Sequence, residues 1–130
     1  YENRNKLTTN ATARLMVEIA TGQAVSADDS RQMMNLLKRE MGGNRKGGGE
    51  DQARDFTAPA LDPERDRLWS KAGWTSTARH DAAYVETGDG LKFVVVTFTT
   101  GQAREKRIIP AVASAVLAEL RKARQATTGG

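Results

Sequence analysis

The stretch 69–74, Trp-Ser-Lys-Ala-Gly-Trp, places a lysine and a glycine on what is predicted to be a β-strand. On such a strand, Lys71 supplies a positive charge and Gly73 lets a ligand approach the backbone closely. These two residues are therefore candidates for one wall of a ligand-binding cleft. The alternative interpretation is that Lys71 is a strand lysine that protects a sheet edge from aggregation.

Two further residues with chemical potential follow this strand. His80 is the one histidine of the chain and is a candidate general base, although a lone histidine beside a strand is also commonly structural. Asp81 fits a structural hydrogen-bonding role. With one histidine and no cysteine, the chain offers neither a zinc site nor a disulfide framework. We therefore expect no metal and no other cofactor.

Composition narrows the class of protein. The chain has 130 residues, of which 38% are hydrophobic and 28% charged, as in a single soluble domain with a modest core. It contains no apolar run of the ~20 residues that a membrane helix requires. The net charge is +4, but basic residues alternate with acids, as in 62–67. Basic and acidic residues mixed in this way are typical of solvent-exposed surfaces rather than of a basic patch, so we expect no nucleic-acid partner.

Two helices are predicted ahead of the strands, at about 9–21 and 26–41. Thr8 and Ser26 lie where N-caps are needed, and Gly22 and Gly42 lie where the helices would end. Each segment carries apolar residues at helical spacing. These residues are Leu15, Met16 and Ile19 in the first helix, and Met33, Leu36, Leu37 and Met41 in the second.

A loop is predicted over 42–67, and it begins with a glycine-rich stretch at 42–49. The glycine spacing fits neither a Walker loop nor a dinucleotide-binding fingerprint, and no strand is predicted before it. We therefore interpret the stretch as a mobile surface loop. A loop of this length is uncommon in a compact domain unless it is functional or disordered.

Three antiparallel strands are predicted at about 68–75, 79–86 and 91–99, followed by a helix at about 108–124. The turn 87–90, Thr-Gly-Asp-Gly, is a strong hairpin signal. The predicted fold class is α+β, with helices packed on the sheet. The third strand is apolar on both faces, which predicts a central position and cover on both sides. Few helices are available for that cover, which indicates that part of the domain lies outside this sequence.

In order and spacing, these segments resemble the C-terminal half of serine β-lactamases and penicillin-binding proteins, especially class A-like β-lactamases. Residues 7–16 resemble the family's Thr-Thr-Pro helix start, with Asn10 in place of proline. Residues 24–38 resemble its next helix, 70–74 its Lys-Thr-Gly strand, and 80–85 the neighbouring strand. The resemblance covers nearly the whole chain and implies the C-terminal part of a β-lactamase/transpeptidase-like fold.

The resemblance also implies roles for individual residues. Lys71 would hold a substrate carboxylate and assist proton transfer, and the backbone N–H of Trp74 would be an oxyanion-hole donor. The substrate-binding wall would comprise Ala72, Gly73, Thr75, Arg79 and His80. Among these, Arg79 would act as a carboxylate counter-ion. Family members mostly work outside the cytoplasm, which implies a periplasmic or secreted protein.

Two features depart from the family pattern. Ala72 occupies the place of a threonine or serine, which favours an ester, amide or peptide substrate other than a β-lactam, or an inactive relative. None of the five serines has a lysine three residues later, so the nucleophilic Ser-x-x-Lys motif is expected on an upstream segment or a second chain.

Two functional hypotheses follow. In the first, this chain supplies the Lys-x-Gly strand of an acyl-transfer site for a small-molecule or peptide substrate, and it is not catalytic alone. In the alternative, the same fold is a non-catalytic binding module for an acidic or peptide partner.

Overall fold

A computed structural model describes residues 6–44 and 47–129. Residues 1–5, residues 45 and 46 of the glycine-rich stretch, and residue 130 lie outside the described part. In chain order the elements are α1 (Thr9–Ala20), α2 (Ala27–Leu37), β1 (Lys38–Arg39), a 3₁₀ turn (Ala58–Ala60), β2 (Arg67–Trp74), β3 (Ala78–Glu86), β4 (Lys92–Thr100) and α3 (Ile108–Thr128).

Side-chain caps begin the first two helices. The Thr8 hydroxyl accepts a hydrogen bond from the Ala11 N–H (3.1 Å), and the Ser26 hydroxyl accepts one from the Asp29 N–H (3.0 Å). The Ser26 hydroxyl also donates to the Asp29 carboxylate (2.6 Å), which lies where the acid of a capping box would be. These bonds satisfy N–H groups that have no partner inside the helix.

In the described part of the chain the sheet has four antiparallel strands in the order β1-β2-β3-β4, so the predicted count of three strands is wrong. The additional strand, β1, has two residues, which pair with Leu68 and Trp69 of β2. Two residues are too few to show the alternation that identifies a strand in sequence. The second helix accordingly ends at Leu37 rather than near 41.

Helices cover both faces of the sheet. α1 and α2 pack on one face, and α3 packs on the other together with the 3₁₀ turn. The main apolar core lies on the α3 face and includes Leu68, Val85, Val95 and Ala113. Within the described residues, β4 is at the edge of the sheet rather than at its centre, since β3 is its one neighbour. No helix in the described part of the chain is long and apolar enough to cross a membrane.

Backbone strain occurs between α1 and α2. Val25 has a φ of 59°, a left-handed conformation that disfavours β-branched residues, and its side chain is 88% exposed. Such strain costs about 1–3 kcal/mol, and a glycine at this position would relieve it. The greater conformational entropy of glycine in the unfolded chain opposes part of that stabilisation. We expect Val25→Gly to raise the free energy of unfolding by about 1 kcal/mol. Val25→Ala should give a smaller gain in urea unfolding, and destabilisation by Val25→Gly would contradict the assignment of strain.

Candidate functional site

The outer edge of β2 presents the backbone N–H of Trp74. Thr75 N donates to Ala78 O (2.9 Å), so Thr75 forms a hydrogen-bonded pair across the turn between β2 and β3. Hydrogen-bonded and non-hydrogen-bonded pairs alternate along an antiparallel ladder, so the N–H groups of Trp74 and Ala72 point away from β3. The Ala72 N–H confirms this direction, because it donates to the Gln52 side-chain oxygen on that side (2.8 Å).

Lys71 and Gly73 lie on the face of β2 that carries α1. Together with His80 they line a cavity of about 360 Å³, whose far wall comprises Leu15, Met16 and Ile19 among other apolar residues. The Lys71 ammonium donates to the Ala72 carbonyl (2.5 Å) at the rim. A Cβ atom added at Gly73 would meet no atom of the described residues within 4 Å, so these residues leave the space beside this glycine open. The structure therefore brings an exposed ammonium and an accessible stretch of backbone together.

His80 is held by its own strand neighbours. Its Nδ1 accepts a hydrogen bond from the Thr99 N–H (3.1 Å), and its ring packs against Phe98 in a tilted arrangement with centroids 4.5 Å apart. The Nδ1 lone pair is therefore already used by the backbone of β4. This arrangement favours a structural role for His80 over the general-base interpretation.

Arg79 lies on the opposite face of the sheet from Lys71. Its guanidinium is 1% exposed, forms an ion pair with Glu50 (2.9 Å) and lies 3.9 Å from the centroid of the Phe56 ring. Glu50 also contacts Lys106 (3.2 Å). The hydrogen bond from Arg79 holds the pKa of Glu50 below its ordinary value, although burial acts in the opposite direction. Arg79 is thus committed to a buried network rather than to the cavity beside Lys71.

The remaining predicted wall residues contact the protein itself. The Ala72 side chain is buried in an apolar cluster with Phe56 and Ile109, so its methyl faces away from the cavity beside Lys71. The Thr75 hydroxyl accepts from the N–H groups of Thr77 and Ala78 (3.2 and 3.0 Å), which fixes the turn after β2. Thr75 therefore shapes the end of the strand.

The two tryptophans lie on opposite faces of β2. The Trp74 ring packs on Phe56 with centroids 5.6 Å apart and remains about half exposed. The Trp69 ring packs on Tyr84 at 5.4 Å. Trp74 therefore offers an exposed aromatic surface next to its outward-directed N–H.

The loop before β2 also contributes to the site, through residues that no sequence motif marks. Gln52, Glu50 and Phe56 all contact the strand ends that carry the site, and Arg39 of β1 donates to the Ser70 carbonyl. Asp81 of β3 anchors the same loop, because its carboxylate accepts from the N–H and hydroxyl of Thr57 (3.1 and 2.7 Å). No periodic pattern marks these residues, since their partners are distant in sequence.

The comparison with protein families decides the assignment. The model of a family described as "Beta-lactamase enzyme family" matches residues 1–120. The chain belongs to this β-lactamase enzyme family. No match was found among curated proteins. Within the described residues, no group of three or more histidine, aspartate or glutamate side chains is arranged to hold a metal ion.

Solved structures share the fold. A structure of PBP-A aligns with a TM-score of 0.69 at 16% identity, over 93% of this chain and 42% of PBP-A. A β-lactamase from Sphaerobacter thermophilus DSM 20745 aligns with a TM-score of 0.62 at 22% identity, over 85% of this chain and 39% of that enzyme. The chain therefore spans about two fifths of the length of these relatives, and its part of the fold is the α+β arrangement described above.

The buried Asp81 gives this β-lactamase-family chain a testable pH dependence. Burial raises the pKa of Asp81, although hydrogen bonds from Thr57 oppose the shift. The folded chain then binds the proton more tightly than the unfolded chain, so the contribution of Asp81 to stability falls as pH rises through the folded pKa. Asp81→Asn keeps an acceptor for Thr57 and removes this titration. In urea unfolding from about pH 4 to about pH 8, the stability of the wild type relative to the variant should fall. A rise would contradict the direction of the shift.

Proposed function

We propose that this chain supplies one wall of the acyl-transfer site of a serine hydrolase, and that an upstream segment or second chain supplies the Ser-x-x-Lys nucleophile. The observation that carries the proposal is the combination on β2 of the exposed Lys71 ammonium with the outward-directed Trp74 N–H. An oxyanion hole requires a fixed N–H donor at the reacting carbonyl, and a strand held on its inner side by β3 provides one.

The proposed reaction proceeds through an acyl-serine. The serine oxygen attacks the substrate carbonyl, and the Trp74 N–H and the nucleophile's own N–H stabilise the resulting oxyanion. The lysine of Ser-x-x-Lys takes the serine proton and passes it to the leaving alcohol or amine as the bond to the carbonyl carbon breaks. Lys71 holds the anionic end of the substrate and assists that proton transfer. Water then hydrolyses the acyl-enzyme and releases the acid.

The face of the sheet that carries α1 indicates where the completing segment would pack. Leu7 and Leu15 at the rim of the cavity beside Lys71 are 61% and 49% exposed. An apolar cavity with exposed leucines at its rim is suited to an apolar helix. A helix seated there would bring its own serine toward Lys71 and the backbone of β2.

The complete protein offers a direct test. We expect it to hydrolyse at least one class among esters, thioesters, amides and β-lactams, and we expect alanine in place of the Ser-x-x-Lys serine to abolish turnover. Because Ala72 buries a methyl where the family has a hydroxyl, an ester or amide should be a better substrate than a β-lactam. Turnover that survives loss of that serine would contradict the proposal.

Ala72 also favours a second candidate, a non-catalytic module that binds an acidic or peptide partner beside Lys71. Binding of such a partner without covalent acylation would distinguish this function from the first. For either function we propose a periplasmic or secreted location, since members of the β-lactamase family often work there.

A further inference from the structure

Most of the outer edge of β2 is already occupied. Leu68 pairs with Arg39 of β1, and the Arg39 guanidinium donates to the Ser70 carbonyl. At Ala72 both backbone groups have partners: the N–H donates to Gln52 Oε1 (2.8 Å), and the carbonyl accepts from Lys71 Nζ (2.5 Å). Among residues 6–44 and 47–129, partners of the outer edge therefore lie at Leu68, Ser70 and Ala72, and the Trp74 N–H beyond them has none.

The Gln52 side chain is fixed from several directions. Its Oε1 also faces an Arg39 guanidinium nitrogen (3.4 Å). The backbone that carries it is held by Asp51, which accepts from the Ala53 N–H (2.9 Å) and pairs with Arg54 (2.7 Å). The Gln52 oxygen is therefore held against β2 by contacts with both Ala72 and Arg39. It also borders a groove of about 440 Å³ that runs between β1 and residues 49–53.

We propose that Gln52 is a specificity-determining residue that limits the leaving group to about one residue. This inference rests on the proposed function above. An extended peptide that adds to a sheet edge pairs with every second residue, over about 6.6 Å per pair of residues. A ligand that runs antiparallel to β2, with its reacting carbonyl at Trp74, places its leaving-group side along Ala72. The Ala72 N–H, with which the leaving group would pair, already donates to the Gln52 side chain.

The site is consequently suited to acyl donors that end soon after the scissile bond and not to internal bonds of a long peptide. Lys71 reinforces the limit because it covers the Ala72 carbonyl. Replacement of Gln52 by alanine would free the Ala72 N–H and join the vacated space to the neighbouring groove. One additional backbone hydrogen bond would then be open to a longer leaving group.

The test compares two esters on the complete protein. Both carry the same acyl group and end in a carboxamide; one has a glycolic leaving group, and the other extends that group by two residues. We expect the wild type to favour the short ester, and Gln52→Ala to raise kcat/KM for the long ester relative to the short one by about 2- to 10-fold, as one hydrogen bond allows. Gln52→Glu keeps the acceptor and should retain the wild-type ratio, as should Gln102→Ala, a matched change on the turn after β4.

Hydrogen exchange tests whether Gln52 protects the Ala72 N–H, independently of whether Gln52 limits the length of the leaving group. The Ala72 amide should exchange faster in Gln52→Ala than in the wild type, and Gln102→Ala should leave it unchanged. An unchanged ester ratio or unchanged Ala72 exchange in Gln52→Ala would overturn the specificity role. If no variant turns over either ester, the proposed function fails; binding of the corresponding amides, measured by tryptophan fluorescence, then decides whether Gln52 still selects against length.

Discussion

Replacing Lys71 with methionine in the complete protein is expected to lower kcat/KM for an anionic ester by about 100-fold. Hydrogen bonds to charged groups contribute about 1.5–3 kcal/mol, which corresponds to roughly 10- to 150-fold. Loss of assistance to proton transfer would add to this effect. Methionine keeps a flexible chain of similar length, so the substitution chiefly removes the charge. Because the Lys71 side chain is exposed, stability should change little.

Lys92→Met provides the matched control. Lys92 lies at the start of β4, is also exposed and pairs with Glu86 (3.6 Å) at the end of the sheet away from Trp74. The same change of charge at this position should leave kcat/KM within about 2-fold of the wild type, as expected for a surface charge. Equal losses from both variants would show that Lys71 acts only through overall charge, and an unaffected Lys71→Met enzyme would remove Lys71 from the site.

Arg79→Ala is expected to lower the free energy of unfolding by about 3 kcal/mol, the lower end of the range for breaking a buried ion pair. The variant loses the contact with Glu50 and the cation–π contact with Phe56, and it leaves a cavity beside Phe56. The lower end is appropriate because Glu50 is about one-fifth exposed and keeps Lys106 as a partner. Urea unfolding of the same complete protein measures the effect.

Arg67→Ala distinguishes burial from charge in this experiment. Arg67 pairs with Glu86 on the exposed end of β2, where salt bridges contribute about 0–1 kcal/mol. Arg67→Ala should therefore lower the free energy of unfolding far less than Arg79→Ala. If Arg79→Ala instead kept full stability and raised KM, Arg79 would be a substrate counter-ion, as the family resemblance implied, and not part of the buried network.

The residues of β2 and β3 show which parts of the candidate site can be predicted from the sequence. Lys71, Gly73 and Trp74 could be placed on one strand because alternation and turn residues mark β2 and β3 clearly. The same alternation shows that Lys71 and Arg79 lie on opposite faces of the sheet. Arg79 pairs with Trp74, and Trp74 is three residues from Lys71 on β2, so the two basic side chains point to opposite sides. A register derived from the turn at 75–78 would have excluded Arg79 from the cavity.

The strand β1 and the contacts of the loop before β2 could not be predicted from the sequence. β1 has two residues, and Phe56 adopts a φ of 60°, which no local pattern predicts for a phenylalanine. Gln52 and Glu50 reach partners 20 and 29 residues away. Such contacts depend on tertiary packing rather than on propensity, so their residues appear in the sequence as ordinary polar loop residues.

The most direct test of the central claim is intact-mass spectrometry of the complete protein before and after a fluorophosphonate and a penicillin-type probe. We expect a single adduct from at least one probe on the serine of Ser-x-x-Lys, and none on Ser26, Ser30, Ser70, Ser76 or Ser114 of this chain. A folded protein that gains no adduct from either probe, or an adduct on one of those five serines, would contradict the claim that this chain forms the wall of an acyl-transfer site.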